Sequence, residues 1–137
     1  MSGTALVVDT NIFVSARNRS ETGFEACRAV LAHIDRGEQL AIVSSLTLAE
    51  LRAGFADREV PTVWRPMLSH FLTSPNYRIA PVSPSIADRA GELRSRFRLR
   101  LADAVIVATG LECEAAGVIT QDREIRTKQS AIPVRLP

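Results

Sequence analysis

Leu6-Val7-Val8-Asp9-Thr10-Asn11-Ile12-Phe13 decides how the rest of the chain is read. A short aliphatic run ends at an acidic side chain, and the residues after it begin a new segment, as where a strand hands over to a helix. At such a junction Asp9 has two readings: its oxygen accepts an orphan amide hydrogen at the helix start, or its charge is held for a ligand. Three further acids stand in comparable places. Glu50 lies in Leu48-Ala49-Glu50-Leu51, Asp103 in Leu101-Ala102-Asp103-Ala104-Val105-Ile106-Val107, and Asp122 follows Gly117-Val118-Ile119-Thr120-Gln121. Two carboxylates about 4 Å apart repel by roughly 4 kcal/mol at an effective dielectric of 20. A fold that gathers these four must protonate them, separate them or bridge them with a cation.

Outward from this junction, short apolar strands are expected at about 5–8, 40–43, 78–80, 117–119 and 132–135, bounded by turn residues such as Gly37, Asn76, Gly117 and Pro133. Between Gly23 and Arg36, Phe24, Cys27, Val30, Leu31 and Ile34 form one apolar stripe at helical spacing. Helices are also expected over 46–55, 62–73, 84–97 and 101–115, with Pro61 and Pro84 suited to first turns. Alternating strands and helices imply a parallel sheet covered on both faces. Ligands of such sheets collect beyond the carboxyl ends of the strands, where strand order reverses. Asp9 and Asp122 fall at or just beyond strand ends, and Glu50 and Asp103 early in helices, so all four are expected at one edge of the sheet.

The 137 residues read as one domain spanning 1–137, large enough for a core without disulfides or a structural metal. With 46% hydrophobic and 23% charged residues, the composition argues against both disorder and a membrane protein. The longest apolar run, Ala104 to Ala108, is far below the ~18 residues of a spanning helix, and the first residues lack a basic segment followed by an apolar core. A cytoplasmic location is expected. Cys27 and Cys113 lack companions at metal-ligand spacing and read as buried helix thiols; His33 and His70 are isolated and read as structural. The net charge is only +2, but 16 of the 17 basic residues are Arg, whose planar fork suits phosphate.

Taken singly, most of the acids have plain explanations. Asp9 suits a helix cap, Thr47-Leu48-Ala49-Glu50 matches a capping box although Ser44 and Ser45 offer an earlier start, and Asp122 suits a cap or turn. Asp103 resists such a reading, because its helix is apolar nearly all round and a buried unpaired charge is costly.

Together, Val7-Val8-Asp9-Thr10-Asn11-Ile12-Phe13, the Glu50 segment, Leu101 to Ala108 and Val118-Ile119-Thr120-Gln121-Asp122 resemble a PIN domain, and more narrowly a bacterial VapC-type toxin. The likeness runs over nearly the whole chain, with the four acids in the family's order. It implies a three-layer α/β/α fold around a parallel sheet of about five strands, and a divalent-metal-dependent endoribonuclease restrained by a cognate VapB-like antitoxin. It also implies a homodimer, and a heterotetramer or larger assembly with the antitoxin. Asp9, Glu50, Asp103 and Asp122 match the family's acidic quartet, and Asn11 and Thr120 its polar supporting positions. Ile125 departs from the pattern, since many relatives carry an aromatic there.

The implied chemistry is hydrolysis of RNA with Mg2+, or Mn2+, held chiefly by Asp9 and Asp103 and completed by Glu50 and Asp122. Arg94, Arg96, Arg98 and Arg100 form a basic run before Asp103 that is a candidate RNA track. If helical, it pairs Arg94 with Arg98 or Arg96 with Arg100; a solvated helix face accounts for it equally well. Trp64 and Tyr77 are the only large polar-edged aromatics, which leaves little for base stacking. Two rival readings remain open. Asp9-Thr10-Asn11 after a strand also resembles the nucleophile loop of haloacid-dehalogenase-like phosphatases, although Asn11 replaces that family's general acid. A receiver-like or non-catalytic PIN-like binding module would use the same scaffold, against which stand four retained carboxylates.

Overall fold

The computed structural model describes residues 4–137. Five strands, β1 (Ala5–Val8), β2 (Leu40–Ser44), β3 (Tyr77–Ala80), β4 (Gly117–Ile119) and β5 (Val134–Arg135), form one all-parallel sheet in the order β3-β2-β1-β4-β5. Seven α-helices accompany them among the described residues: α1 (Thr10–Ser15), α2 (Phe24–Asp35), α3 (Ser45–Gly54), α4 (Arg65–Thr73), α5 (Pro84–Phe97), α6 (Leu101–Glu112) and α7 (Arg123–Lys128).

Alternation along the strands divides the interior into two cores, because successive side chains point to opposite faces. Ala5 and Val7 of β1, with Ile42 and Val118, meet Ile86, Ala90 and Leu93 of α5 and the run Ala104–Ala108 of α6. Leu6 and Val8, with Ala41, Val43 and Ile119, meet Ile12 and Phe13 of α1, Cys27 and Ile34 of α2, Leu51 of α3 and Phe71 of α4. The result is the expected three-layer α/β/α arrangement. Ile125, the departure from the family pattern, is fully buried in the first core.

Several boundaries differ from expectation for local reasons. Pro66 has no N–H and crowds the preceding turn. The helix expected over 62–73 is accordingly split into a π-helical turn at Val60–Trp64 and α4 from Arg65. Helix α6 stops at Glu112 rather than 115; Cys113 caps it half-buried, and Glu114 turns left-handed at φ 54°. Strand β5 is shorter than 132–135, because the Gln129 carboxamide takes both backbone groups of Ile132, at 3.1 Å each. Helix α7 was not expected, since Arg123-Glu124-Ile125-Arg126-Thr127-Lys128 has a single apolar residue.

β1 lies at the sheet's centre, with β2 on one side and β4 on the other. The chain fills one half through β3, then returns by way of α5 and α6 to begin the other. Strand order therefore reverses at β1, and a crevice opens beyond its carboxyl end.

Candidate active site

Asp9 occupies that crevice. Its backbone N–H donates to the Ile119 carbonyl at 3.0 Å, which extends the β1–β4 pairing by one residue and fixes the position of the side chain. Oδ1 caps α1 by accepting from the Thr10 amide at 2.8 Å, while Oδ2 accepts from the Thr120 hydroxyl at 2.7 Å and the Asn11 carboxamide at 3.2 Å. The capping reading of Asp9 is thus observed at one oxygen, while the other turns toward β4. The residue is 7% exposed. Burial pushes its carboxyl up to about 6; hydrogen bonds from Thr120 and Thr10 pull it down, and the nearby Asp103 and Glu50 push it up again.

Asn11 and Thr120 brace this carboxylate. Asn11 donates to the Thr120 oxygen at 2.9 Å and accepts from the Gln121 amide at 3.0 Å, tying α1 to the segment after β4. The Thr120 oxygen also receives the Asp122 amide at 2.9 Å, so one buried hydroxyl links Asp9, Asn11 and the entry to α7.

Glu50 arrives from β2. No capping box forms: Ser44 caps α3 by accepting from Leu46 at 3.1 Å, so Glu50 lies in the second turn rather than at the helix start. Its carboxylate accepts from the Thr10 hydroxyl at 2.6 Å, and that hydroxyl also shares a hydrogen bond with Thr47 at 3.0 Å. Helix α3 is thereby held against the first turn of α1.

Asp103 sits in the first turn of α6, 6% exposed, in a helix buried continuously from Asp103 to Gly110. Burial raises its carboxyl above the ordinary range, the Arg100 hydrogen bond lowers it, and Asp122 raises it. Asp122 caps α7 through Oδ1, which accepts from Glu124 at 2.8 Å. Its other oxygen and Oδ2 of Asp103 are each 3.0 Å from the Arg100 guanidinium, which bridges the two carboxylates.

All four acids line one groove of about 730 Å3, with Thr10, Asn11, Val14, Glu21, Arg100, Gln121 and Arg123 among the other residues of its wall. Thr120 lies behind it, fully buried. The sequence reading missed Thr10 and Gln121, which belong to motif segments but carry no charge, and Glu21, in a loop without periodicity. Among the described residues, no three His, Cys, Asp or Glu side chains stand close enough for a ready-made metal cage.

The basic run does not continue as a helix. α5 ends at Phe97, and Arg98 adopts φ 57°, so the pairing of Arg96 with Arg100 on one helical face is absent. Arg94 donates to the Leu99 carbonyl at 3.1 Å, Arg96 lies over the Phe97 ring at 5.0 Å, and of the four only Arg100 reaches the acidic groove. His33 and His70 pair with Glu38 and Asp35, away from the groove. Trp64 and Tyr77 are buried, so neither offers a stacking face. No helix among the described residues is long and apolar enough to cross a membrane.

Solved structures that share this architecture include three toxin-antitoxin proteins. A toxin-antitoxin complex from Klebsiella pneumoniae is 23% identical, with 94% of this chain and 96% of that one covered and a TM-score of 0.68. VapBC2 from Rickettsia felis, bound to a DNA fragment from its promoter, is 20% identical over 96% and 98%, with a TM-score of 0.71. FitAcB from Neisseria gonorrhoeae is 21% identical over 94% and 95%, with a TM-score of 0.67. No curated protein sequence matches the chain. The model of the PIN domain family matches residues 6–129, and with that span the chain belongs to the PIN domain family.

Proposed function

We propose that this PIN domain is a divalent-metal-dependent endoribonuclease and the toxin of a type II toxin-antitoxin pair, acting in the cytoplasm and held inactive by a VapB-like antitoxin. The observation that carries the reading is the meeting of Asp9, Glu50, Asp103 and Asp122, from four separate segments, in one groove at the strand switch point. The near-complete coverage of toxin-antitoxin structures from three organisms supports the partner assignment. Dimerisation of the toxin, and a heterotetramer or larger assembly with antitoxin, belong to the same proposal.

The donor set fits Mg2+ or Mn2+. All four acids offer hard oxygens, and Mg2+ keeps several waters while taking one or two carboxylates and substrate phosphate, so a closed cage is not required. Asp9 and Asp103 are the leading ligands, being buried carboxylates whose charge a cation would stabilise. Glu50 and Asp122 complete the set directly or through water. When bound, the ion supplies a water of lowered pKa and stabilises phosphoryl charge. Thr120 and Asn11 hold Oδ2 of Asp9 in a fixed direction, and Thr10 does the same for Glu50.

The phosphatase alternative is disfavoured by Asn11. Its carboxamide is engaged with Asp9, Thr120 and the Gln121 amide, and it carries no acidic proton to give a leaving group. A purely binding module would have little use for two buried acids at the groove. The test is cleavage of RNA by purified, antitoxin-free protein with Mg2+ or Mn2+: activity should vanish in chelator and in Asp9→Ala and Asp103→Ala. Undiminished cleavage in those variants would overturn the reading.

A further inference from the structure

Among the described residues, Arg100 is the one basic side chain hydrogen-bonded within the acid cluster. It precedes α6 with extended backbone (φ −62°, ψ 149°), just after the left-handed turn at Arg98 that ends α5 and redirects the chain. Nε reaches Asp103 and Nη2 reaches Asp122, both at 3.0 Å, so one fork spans two elements that are 19 residues apart at their acids. The exposure pattern gives the fork its meaning. The Arg100 side chain is 70% exposed, whereas those of Asp103 and Asp122 are 9% and 16% exposed. The guanidinium therefore lies on the solvent side of both acids.

Resting on the metal-nuclease reading, we propose that Arg100 is a built-in counter-ion which occupies the mouth of the acid cluster and which a divalent cation must displace in order to use Asp103 and Asp122. The charge balance favours such a cation, because two carboxylates brought together from α6 and α7 repel, and a positive charge between them relieves that repulsion. The grip is also loose enough to be released. Exposed ion pairs are weak and screened by salt, and the exposed Arg100 side chain has solvent to move into. A protein whose competent state is only partly populated binds its ligand more weakly by that fraction. Arg100 thereby sets the metal concentration at which the site fills, and keeps the cluster ordered before it does.

Mn2+ binding, followed by calorimetry and by loss of the free-ion EPR signal, tests this in the purified protein without RNA. Arg100→Gln should bind Mn2+ roughly five- to tenfold more tightly than the unaltered chain. Its metal-free Tm should fall, and its Tm gain on adding Mn2+ should grow. Arg100→Lys, with charge but no fork, should lie between. Arg96→Gln removes a charge from the same run outside the groove and should leave Mn2+ affinity unchanged. Equal or weaker Mn2+ binding by Arg100→Gln, or equal tightening by Arg96→Gln, would overturn the counter-ion role while leaving the metal site intact. If neither the unaltered chain nor Arg100→Gln bound Mn2+, the metal-nuclease reading would fall as well.

Discussion

The Asn11 carboxamide nitrogen and the Thr120 hydroxyl oxygen stand 2.9 Å apart, and both donate to the same atom, Oδ2 of Asp9. Two residues 109 positions apart in sequence thus fix the direction of one buried carboxylate. Thr120→Val keeps the shape and removes the shorter of the two donors. Leaving a buried polar group without its partner costs about 1–3 kcal/mol, so Thr120→Val should lower stability by that amount in denaturant unfolding. It should also raise the Asp9 pKa further, since Thr120 supplies the largest lowering influence on that group. An activity profile whose acidic limb stays in place would argue against this brace.

The pH response follows from Asp9. Its carboxyl titrates at about 6 in the folded protein against 3.8 ordinarily, so between those values the folded chain binds the extra proton. The contribution of this group to stability is therefore greatest below pH 3.8 and is lost as pH rises to about 6. A divalent ion needs the ionised form. Mn2+ affinity should accordingly be flat above about pH 6 and weaken below it, with proton release on binding between pH 5 and 6. Calorimetry in buffers of different ionisation enthalpy measures that release directly.

Asp103→Asn should separate stability from function. Burial raises the Asp103 carboxyl despite its bond to Arg100, so the ionised form is held at a cost in the folded state. The neutral isostere removes that cost. Metal-free Asp103→Asn should therefore melt higher than the unaltered chain at pH 8, while losing RNA cleavage. A lower Tm would mean that the lost charge pairing with Arg100 outweighs relief from burial.

How far the sequence carried depends on which interactions are local. All five strands were legible because turn residues bound them, although Arg78 in β3 and Arg135 in β5 interrupt the apolar pattern, and the α/β/α layering followed from their alternation with helices. Helix α7 was not, since its start depends on the Asp122 cap more than on periodicity. The acidic residues were legible as a set, by their order along the chain. Glu50 was legible as an early helical residue, and of the two starts open to its helix the Ser44 cap formed in place of a Thr47 capping box. The aim of Arg100 was illegible for a different reason: it depends on the left-handed turn at Arg98, which a non-glycine residue adopts only in its tertiary context.

Gly23 links the fold to the groove wall. It adopts φ 84°, and an ideal Cβ there would fall within 2.1 Å of the Gln121 side-chain oxygen. Gln121 in turn donates to Ser15 at 2.7 Å and its backbone is held by Asn11, so it has little freedom to move aside. Gly23→Ala should therefore cost about 1–3 kcal/mol of stability from the strained backbone alone, and should displace Gln121 from Ser15. Gln121→Ala relieves the contact without changing the backbone. The double variant Gly23→Ala/Gln121→Ala should recover the part of the loss due to collision and keep the part due to φ, which a double-mutant cycle on unfolding free energies separates. Strict additivity of the two substitutions would show that the Gly23–Gln121 contact contributes nothing to shaping this side of the groove.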